Sequence, residues 1–543
     1  MLIGYVSDER YVAVADVLLE FERDGQSVAV VRSTPRGAIY ADIDPGEYMV
    51  TLVRDGFGSK SVTMTADPEK PHHFRLLSDC ILGYMWPKWV KSGEKSEFRV
   101  HSPECFQLTL WRYGLKREFI KMLGWFDEHG PRAVMQITPD GDYTQTGVQW
   151  NKQGYGSPHH TQRVTGPDRS GLYYLHARGE TSGFFSFPWV VAPATPKAPI
   201  AVLASSNTWN AYNNFGGRSN YINSNHLPPK PTVNARLDLI RYTMAGAFNV
   251  WGFPDQEYAP LSFERPEVGN KVLENEEVTD PIKGRLACGY APAEWRLLGW
   301  LEREGLEYDY YSESQLHFGE LDLDAYKILI LSVHPEYWSR TMYERVKEWV
   351  YKRGGRLMYL GGNGLNCEVE FIDESTLKIN THLAGAGNEL GMADPDGPDI
   401  YFESRMHRRL KESEANLLGV VTTHTGIMTA APYKVIDASH WVFNGTDLSN
   451  GDLFGEENLQ ERISGGASGH ETDKMSPSSP ANTVLLAKGT NPDDGGSEMV
   501  YYETDSGGGV FSAGSITYGA SILVDENISR ITSNVIEQFL ENG

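Results

Sequence analysis

The chain has 543 residues, enough for several domains, and 40% hydrophobic with 22% charged residues is a globular composition, which excludes disordered, collagen-like and coiled-coil classes. There are 49 basic against 72 acidic residues, a formal net charge of −23 that repels phosphate backbones and anionic lipid; neither nucleic acid nor a membrane is an expected partner. Cys80, Cys105, Cys288 and Cys367 are too few for a disulfide scaffold and show no CxxC spacing, which predicts a reducing, cytoplasmic setting. The opening MLIGYVSDERYVAVADV does not read as a signal peptide, and no run of about 18 apolar residues predicts a membrane span.

Residues 1–77 alternate apolar and polar positions. Val12–Phe21, Ser27–Val31, Ala38–Ile43 and Tyr48–Leu52 read as short strands, with a Pro45-Gly46 turn between the last two. The run GAIYADIDPGEYMVTLVRDGFGSKSVTM resembles β modules of the prealbumin-like or carboxypeptidase-regulatory type. Residues 78–192 predict a second β-sandwich module, with strands at Glu97–Val100, Gln107–Tyr113, Ala133–Ile137, Gly171–Ala177 and Gly183–Val191. The pairs His72/His73 and His159/His160 read as boundary or surface residues, because neighbours on a strand point to opposite faces. Residues 193–199 hold three prolines and predict a stiff linker.

From residue 200 to 543 the pattern changes. Ile200–Ala204 is a short apolar run, as in a strand buried on both faces. Helices are predicted at Pro292–Glu304 and Ser339–Arg353, and strands at Glu307–Tyr311, Tyr326–Val333 and Arg356–Leu360. Thr483–Lys488, Met499–Glu503 and Gly509–Ala513 read as late strands, and Ile528, Ile531, Val535 and Phe539 stripe a final helix. The alternation predicts a parallel-sheet α/β domain, similar to class I glutamine amidotransferase-like folds. The polar, Gly-rich region from about 365 to 480 reads as an excursion from that sheet.

Ligands of a parallel sheet gather beyond the carboxyl ends of its strands. Three polar segments leave strands there: 205–221, Ser332–Trp338 and Gly361–Asn366, with Gly469–Lys474 as a fourth candidate in the excursion. The turn that would carry an amidotransferase nucleophile holds His334-Pro335-Glu336 instead. GxSxG and HExxH are absent, and HxE lacks the PCxxC of the zinc deaminases. What remains is a glutamate, a histidine, tyrosines and asparagines. An ionised glutamate with two phenolates would form a hard, all-oxygen site suited to trivalent iron rather than zinc. The competing reading has the tyrosines and tryptophans packing the domain joint.

TWNAYNNFGGRSNY, LSVHPEYWS, YLGGNGLN and GHETDK together resemble the large (beta) subunit of N,N-dimethylformamidase, over roughly 196–543. The resemblance implies an amidohydrolase with one mononuclear non-haem ferric ion per chain, held by two tyrosines and a glutamate. Matched by motif, Glu336 is the carboxylate ligand, Tyr212 (with Tyr221 as rival) the first tyrosine and Tyr258 the second. His334 and Asn363 are the polar residues facing substrate, and Glu471 is the catalytic base. A small N-substituted, formamide-type amide is the implied substrate. A homo-oligomer is expected, with a separate small subunit possible. Two other readings stay open: a non-catalytic carbohydrate-binding multi-module protein, and an amidotransferase-like hydrolase without iron, for which Cys288 and Cys367 are the candidate nucleophiles.

Overall fold

A computed structural model describes residues 1–126, 138–148, 150, 162–233, 258–272, 289–380, 412–423, 425–460 and 462–541. The expected strand Ala133–Ile137, the pair His159/His160 and Cys288 lie outside the described residues.

Near the N-terminus an antiparallel sheet runs in the order Gln26–Arg32, Leu18–Arg23, Gly46–Arg54, Phe57–Ala66. Tyr48, Val50 and Leu52 are buried while Met49 and Val53 are exposed, so one face supplies a core. That core is completed by Ile39 and Phe74 from a smaller sheet formed by Ala38–Tyr40, Leu2–Ser7 and His72–Arg75. The strand expected from Val12 begins only at Leu18, because Asp16 adopts a left-handed φ of 59° that ends any extended run before it.

The next sheet orders Arg117–Phe126, Phe106–Tyr113, Gly171–Gly179, Phe184–Ala192 and Trp89–Lys91, beside a three-stranded sheet of Arg163–Thr165, Lys95–His101 and Leu82–Trp86. Buried charges join this region to the segment that follows Tyr258. Lys88 Nζ lies 2.5 Å from Glu267 Oε1 and donates to the Arg265 carbonyl at 3.0 Å. Arg99 pairs with Glu264; separately, Arg75 of the N-terminal module donates to the Gly216 carbonyl at 2.9 Å.

Among the described residues the largest sheet has nine strands, ordered Tyr308–Ser312, Ile200–Ala204, Ile328–Val333, Arg356–Gly361, Gly509–Ser512, Glu498–Glu503, Val484–Gly489, Tyr433–Val435, Leu453–Phe454. The first four pairings are parallel and the last four antiparallel. This corrects the expected parallel-sheet, amidotransferase-like α/β domain: the sheet is mixed, and strand dominates the chain. The reason is connection length. Only residues 504–508 join Glu498–Glu503 to Gly509–Ser512, a hairpin too short for the crossover that parallel neighbours need. Part of the presumed excursion also belongs to the sheet, since Tyr433–Val435 and Leu453–Phe454 are its outer strands.

The helices follow from their stripes and caps. Ala291–Arg303 buries Leu297, Leu298 and Leu301. Arg340–Arg353 starts at Ser339, whose hydroxyl accepts the Met342 amide at 3.3 Å, and stops at Gly354 with φ 74°. Glu526–Glu541 buries Ile528, Ile531, Val535 and Phe539. Among the described residues no helix is long and apolar enough to cross a membrane.

Candidate active site

Three segments leaving parallel strands on one edge supply most of the site. Ile200–Ala204 runs into the helix Ser206–Tyr212. Two internal carboxylates accept its leading amides: Ser205 N–H donates to Glu294 Oε1 at 3.0 Å, and Asn207 N–H donates to Glu313 Oε2 at 2.8 Å. They satisfy donors that have no partner within the helix, and thereby fix the helix that ends at Tyr212. Burial pushes the Glu294 carboxyl up to about 7 and the Glu313 carboxyl well above the usual range.

Ile328–Val333 ends at Val333 with φ 61°. A left-handed β-branched residue is strained, and such strain concentrates where a site must be shaped. Thr208 holds the turn that follows: its hydroxyl donates to the His334 carbonyl at 2.7 Å, and Glu336 N–H donates to Thr208 Oγ1 at 3.3 Å. The third segment follows Arg356–Gly361. A Cβ at Gly362 would lie 2.5 Å from the Glu471 carbonyl oxygen and 2.7 Å from the Ile516 nitrogen. Only glycine permits that approach, which brings Asn363 (φ 53°) beside Glu471. Glu471 itself joins the short strands Ser468–His470 and Thr472–Lys474.

The side chains form one hydrogen-bonded group. Tyr221 donates its phenolic hydrogen to the Tyr212 oxygen at 3.1 Å, and Tyr212 donates to Glu336 Oε2 at 2.5 Å. His334 Nε2 stands 3.3 Å from Glu336 Oε2 and 3.1 Å from Glu471 Oε2. Asn363 Nδ2 donates to Glu471 Oε2 at 2.8 Å. The Tyr212 ring meets the rings of His334 and Tyr337 edge-on, with centroids 5.5 and 5.8 Å apart. The expected residues Tyr212, Tyr221, His334, Glu336, Asn363 and Glu471, scattered over 260 positions of sequence, thus share one cluster, in which His334, Glu336 and Asn363 are buried and the other three half-buried.

Electrostatics assign their protonation. Burial is the largest influence on His334 and lowers its pKa, but the hydrogen bonds and charges of Glu336 and Glu471 outweigh it and hold the imidazole at about 10. Burial would raise Glu471, yet His334 and Asn363 bring it down to about 2. The pair is therefore an imidazolium and a carboxylate at neutral pH. Burial, then the charge of Glu336, raises Tyr212 well above the usual phenol range.

Tyr258 is buried in the main core cluster together with Trp209 and Tyr337. The next residue ties its backbone to the Tyr221 loop, since Ala259 N–H donates to the Ser224 carbonyl at 3.0 Å. The phenol within hydrogen-bonding distance of Tyr212 is Tyr221. Among the described residues, no three His, Cys, Asp or Glu side chains gather as a metal site. A metal ion here would draw on tyrosine, and two phenols with a carboxylate make the hard oxygen set that suits a trivalent cation.

Four further residues adjoin the cluster in places the sequence did not assign them. Asp473 Oδ1 accepts the backbone N–H of Asn363 at 3.0 Å and its Oδ2 accepts the Tyr359 hydroxyl at 2.6 Å; burial pushes its carboxyl up to about 6. Thr422 Oγ1 lies 2.8 Å from Asn363 Oδ1, which sets the orientation of that amide. His470 is buried, and burial lowers its pKa to about 4, so it is neutral. Cys367 is buried with its thiol on Glu336 Oε1 at 3.2 Å, inside a strand rather than on a strand-to-helix elbow. His470 and Asp473 lie in the segment Gly469–Lys474 that the sequence marks, and Cys367 is visible there only as a candidate nucleophile; Thr422 carries no local signal.

The ensemble is a centre of two carboxylates about one histidine, bordered by phenols. The chain belongs to the family described as N,N-dimethylformamidase beta subunit-like, C-terminal, whose model matches residues 119–529. It is 28% identical over 431 residues to the N,N-dimethylformamidase beta subunit of Alcaligenes sp, covering 69% of this chain and 53% of that one. It is 28% identical over 292 residues to the subunit of the same name from Paracoccus aminophilus, covering 46% and 37%. The chain thus spans about half the length, or less, of these curated relatives. Among solved structures, a chimeric titin Z1Z2 tandem covers 36% of this chain at 12% identity, and its TM-score of 0.12 carries no argument about the fold.

Proposed function

We propose that the chain is an amide hydrolase that cleaves the C–N bond of a small N-substituted, formamide-type amide. The observation that supports this most directly is Glu471, anchored by Asn363 at 2.8 Å and facing His334 Nε2 at 3.1 Å. Glu471 is the carboxylate that would take the proton of the attacking water; its lowered pKa follows from the His334 and Asn363 contacts and adds nothing to its strength as a base. His334 and Asn363 supply N–H donors on the same side, placed to orient the amide carbonyl and to stabilise negative charge growing on its oxygen. The imidazolium also holds a proton that the departing amine requires. Thr422 keeps the Asn363 side-chain amide from rotating away, and Asp473 holds the Asn363 backbone.

The resident cofactor in this reading is one ferric ion per chain, held by Tyr212, Glu336 and a second phenol, for which Tyr221 is favoured by contact and Tyr258 remains the alternative. Bound there, it supplies Lewis acidity toward a carbonyl oxygen or a water. Tyr212 and Glu336 provide the ligand oxygens, and the aromatic edges of Tyr337 and His334 keep the Tyr212 ring in place. The β modules at 1–77 and 78–192 and the linker at 193–199 stand outside the chemistry, which belongs to 200–543. Since the relatives are named beta subunits, we include in the proposal an assembly with further copies or with a separate small subunit, in the cytoplasm.

The test is to incubate purified protein with N,N-dimethylformamide and with N-alkyl homologues and to measure amine and formate, alongside the iron content. Stoichiometric iron and amine release that scales with it support the reading. Protein that is iron-free yet fully active would sink the metal assignment, and iron-loaded protein inert toward every amide would sink the substrate class.

A further inference from the structure

We propose that Cys367 positions the Glu336 carboxylate: its thiol occupies Oε1, and Oε2 is thereby left as the oxygen turned toward the Tyr212 phenol and toward any metal ion bound there. The inference rests on reading Glu336 as a ligand, and it deepens that reading.

Two bonds from one residue reach the same glutamate. Cys367 Sγ–H donates to Glu336 Oε1 at 3.2 Å, and Cys367 N–H donates to the Glu336 carbonyl at 2.9 Å. The strands keep the pair in register, since Tyr337–Ser339 runs parallel to Cys367–Asp373 with Tyr337 opposite Cys367. Both residues are buried, with 0% of Cys367 and 2% of Glu336 exposed, so water does not compete for Oε1.

The two carboxylate oxygens face different neighbours. Oε2 meets Tyr212 at 2.5 Å and His334 at 3.3 Å, whereas the thiol takes Oε1. A carboxylate turns about its terminal torsion, which is broad. Anchoring one oxygen removes that freedom and disfavours a bidentate grip on a metal. Partners that hold a ligating carboxylate are known to matter for metal affinity and activity. A thiol is a weak donor, so it restrains the rotation while drawing less electron density from the ligand than a hydroxyl or an ammonium would. A role as space filler alone makes a different prediction, because a small apolar side chain would then serve as well.

The experiment has two parts. In metal-free protein, the infrared S–H stretching band that disappears in Cys367→Ala should move in Glu336→Gln, because the charged acceptor is gone. A band that stays where it was overturns the contact. In iron-loaded protein, Cys367→Ala and Cys367→Val should shift the tyrosinate-to-iron absorption, release iron about 10-fold more readily and lower kcat more than they change KM. Cys367→Ser, which restores a donor, should return all three toward the parent. Alanine and valine variants that match the parent in band position, iron retention and kcat overturn the positioning role. A parent chain that binds no iron overturns the metal reading instead, and the infrared shift then decides alone whether the thiol holds Glu336.

Discussion

Glu336 and Glu471 meet at a single atom, His334 Nε2, from which their Oε2 oxygens lie 3.3 and 3.1 Å away. One N–H is shared between a carboxylate proposed to hold metal and a carboxylate proposed to move a proton. His334 stands between the two side chains and lowers the pKa of Glu471, while both carboxylates together raise its own.

Variants should separate the two roles. Glu336→Ala should purify iron-poor and inactive. Glu471→Gln should keep iron and colour, with turnover lowered by about 100- to 10,000-fold, the usual worth of a positioned general base. Iron analysis, visible absorption and amine release measure both. The opposite pattern would exchange the two assignments.

The second phenol is decided by comparing three substitutions. Tyr212→Phe should lose most of the visible absorption and the iron. Of Tyr221→Phe and Tyr258→Phe, only the true ligand should behave the same way. Tyr221 lies 3.1 Å from the Tyr212 oxygen, so Tyr221→Phe is expected to be the damaging one. A colourless Tyr258→Phe beside an intact Tyr221→Phe would restore the assignment made from sequence.

Stability should depend on pH through Glu294. Its folded pKa is raised by burial to about 7, above that of an unfolded glutamate near 4.3. The folded state therefore binds the proton more tightly. The stabilisation is fully present below about pH 4 and is lost as pH rises through 7, a change on the order of 3 kcal/mol for this group. Glu294→Gln mimics the protonated form and should flatten that slope in denaturant titrations across the interval. An unchanged slope would show that Glu294 does not titrate there.

Lys88→Met tests the joint between the β modules and the segment after Tyr258. It would leave Glu267 buried with only Asn270 Nδ2 at 2.7 Å on its other oxygen. Removing one partner of a buried pair costs about 3–5 kcal/mol. Lys88→Met/Glu267→Met should recover much of the loss. Equal stability of the single variant and the parent, by thermal and chemical unfolding, would show that the pair does not hold the joint.

Local pattern was enough for many of the individual elements and for the segments that meet at the candidate site. The apolar run Ile200–Ala204 is the observed strand, and the 3–4 spacing of Met342, Val346, Trp349 and Val350 with Ser339 before and Gly354 after marks a helix at Arg340–Arg353. Such features depend on neighbours a few residues apart, which the sequence displays directly. The motifs containing Tyr212, Tyr221, His334, Glu336, Asn363 and Glu471 were also visible, because polar residues just past buried strands are conspicuous.

Strand direction was not visible in that way. A strand buried on both faces is an apolar run whether its neighbour is parallel or antiparallel, and the mixed sheet is decided by which strands pair across long separations, such as Arg356–Gly361 with Gly509–Ser512. The thiol of Cys367 on Glu336 and the hydroxyl of Thr422 beside Asn363 belong to the same category. A hydrogen bond between residues 31 or 59 positions apart exists only once the backbone has folded. Residue types and their local order were therefore set by the sequence on its face, while tertiary structure alone decided which oxygen faces which donor, and with it the charge each group carries.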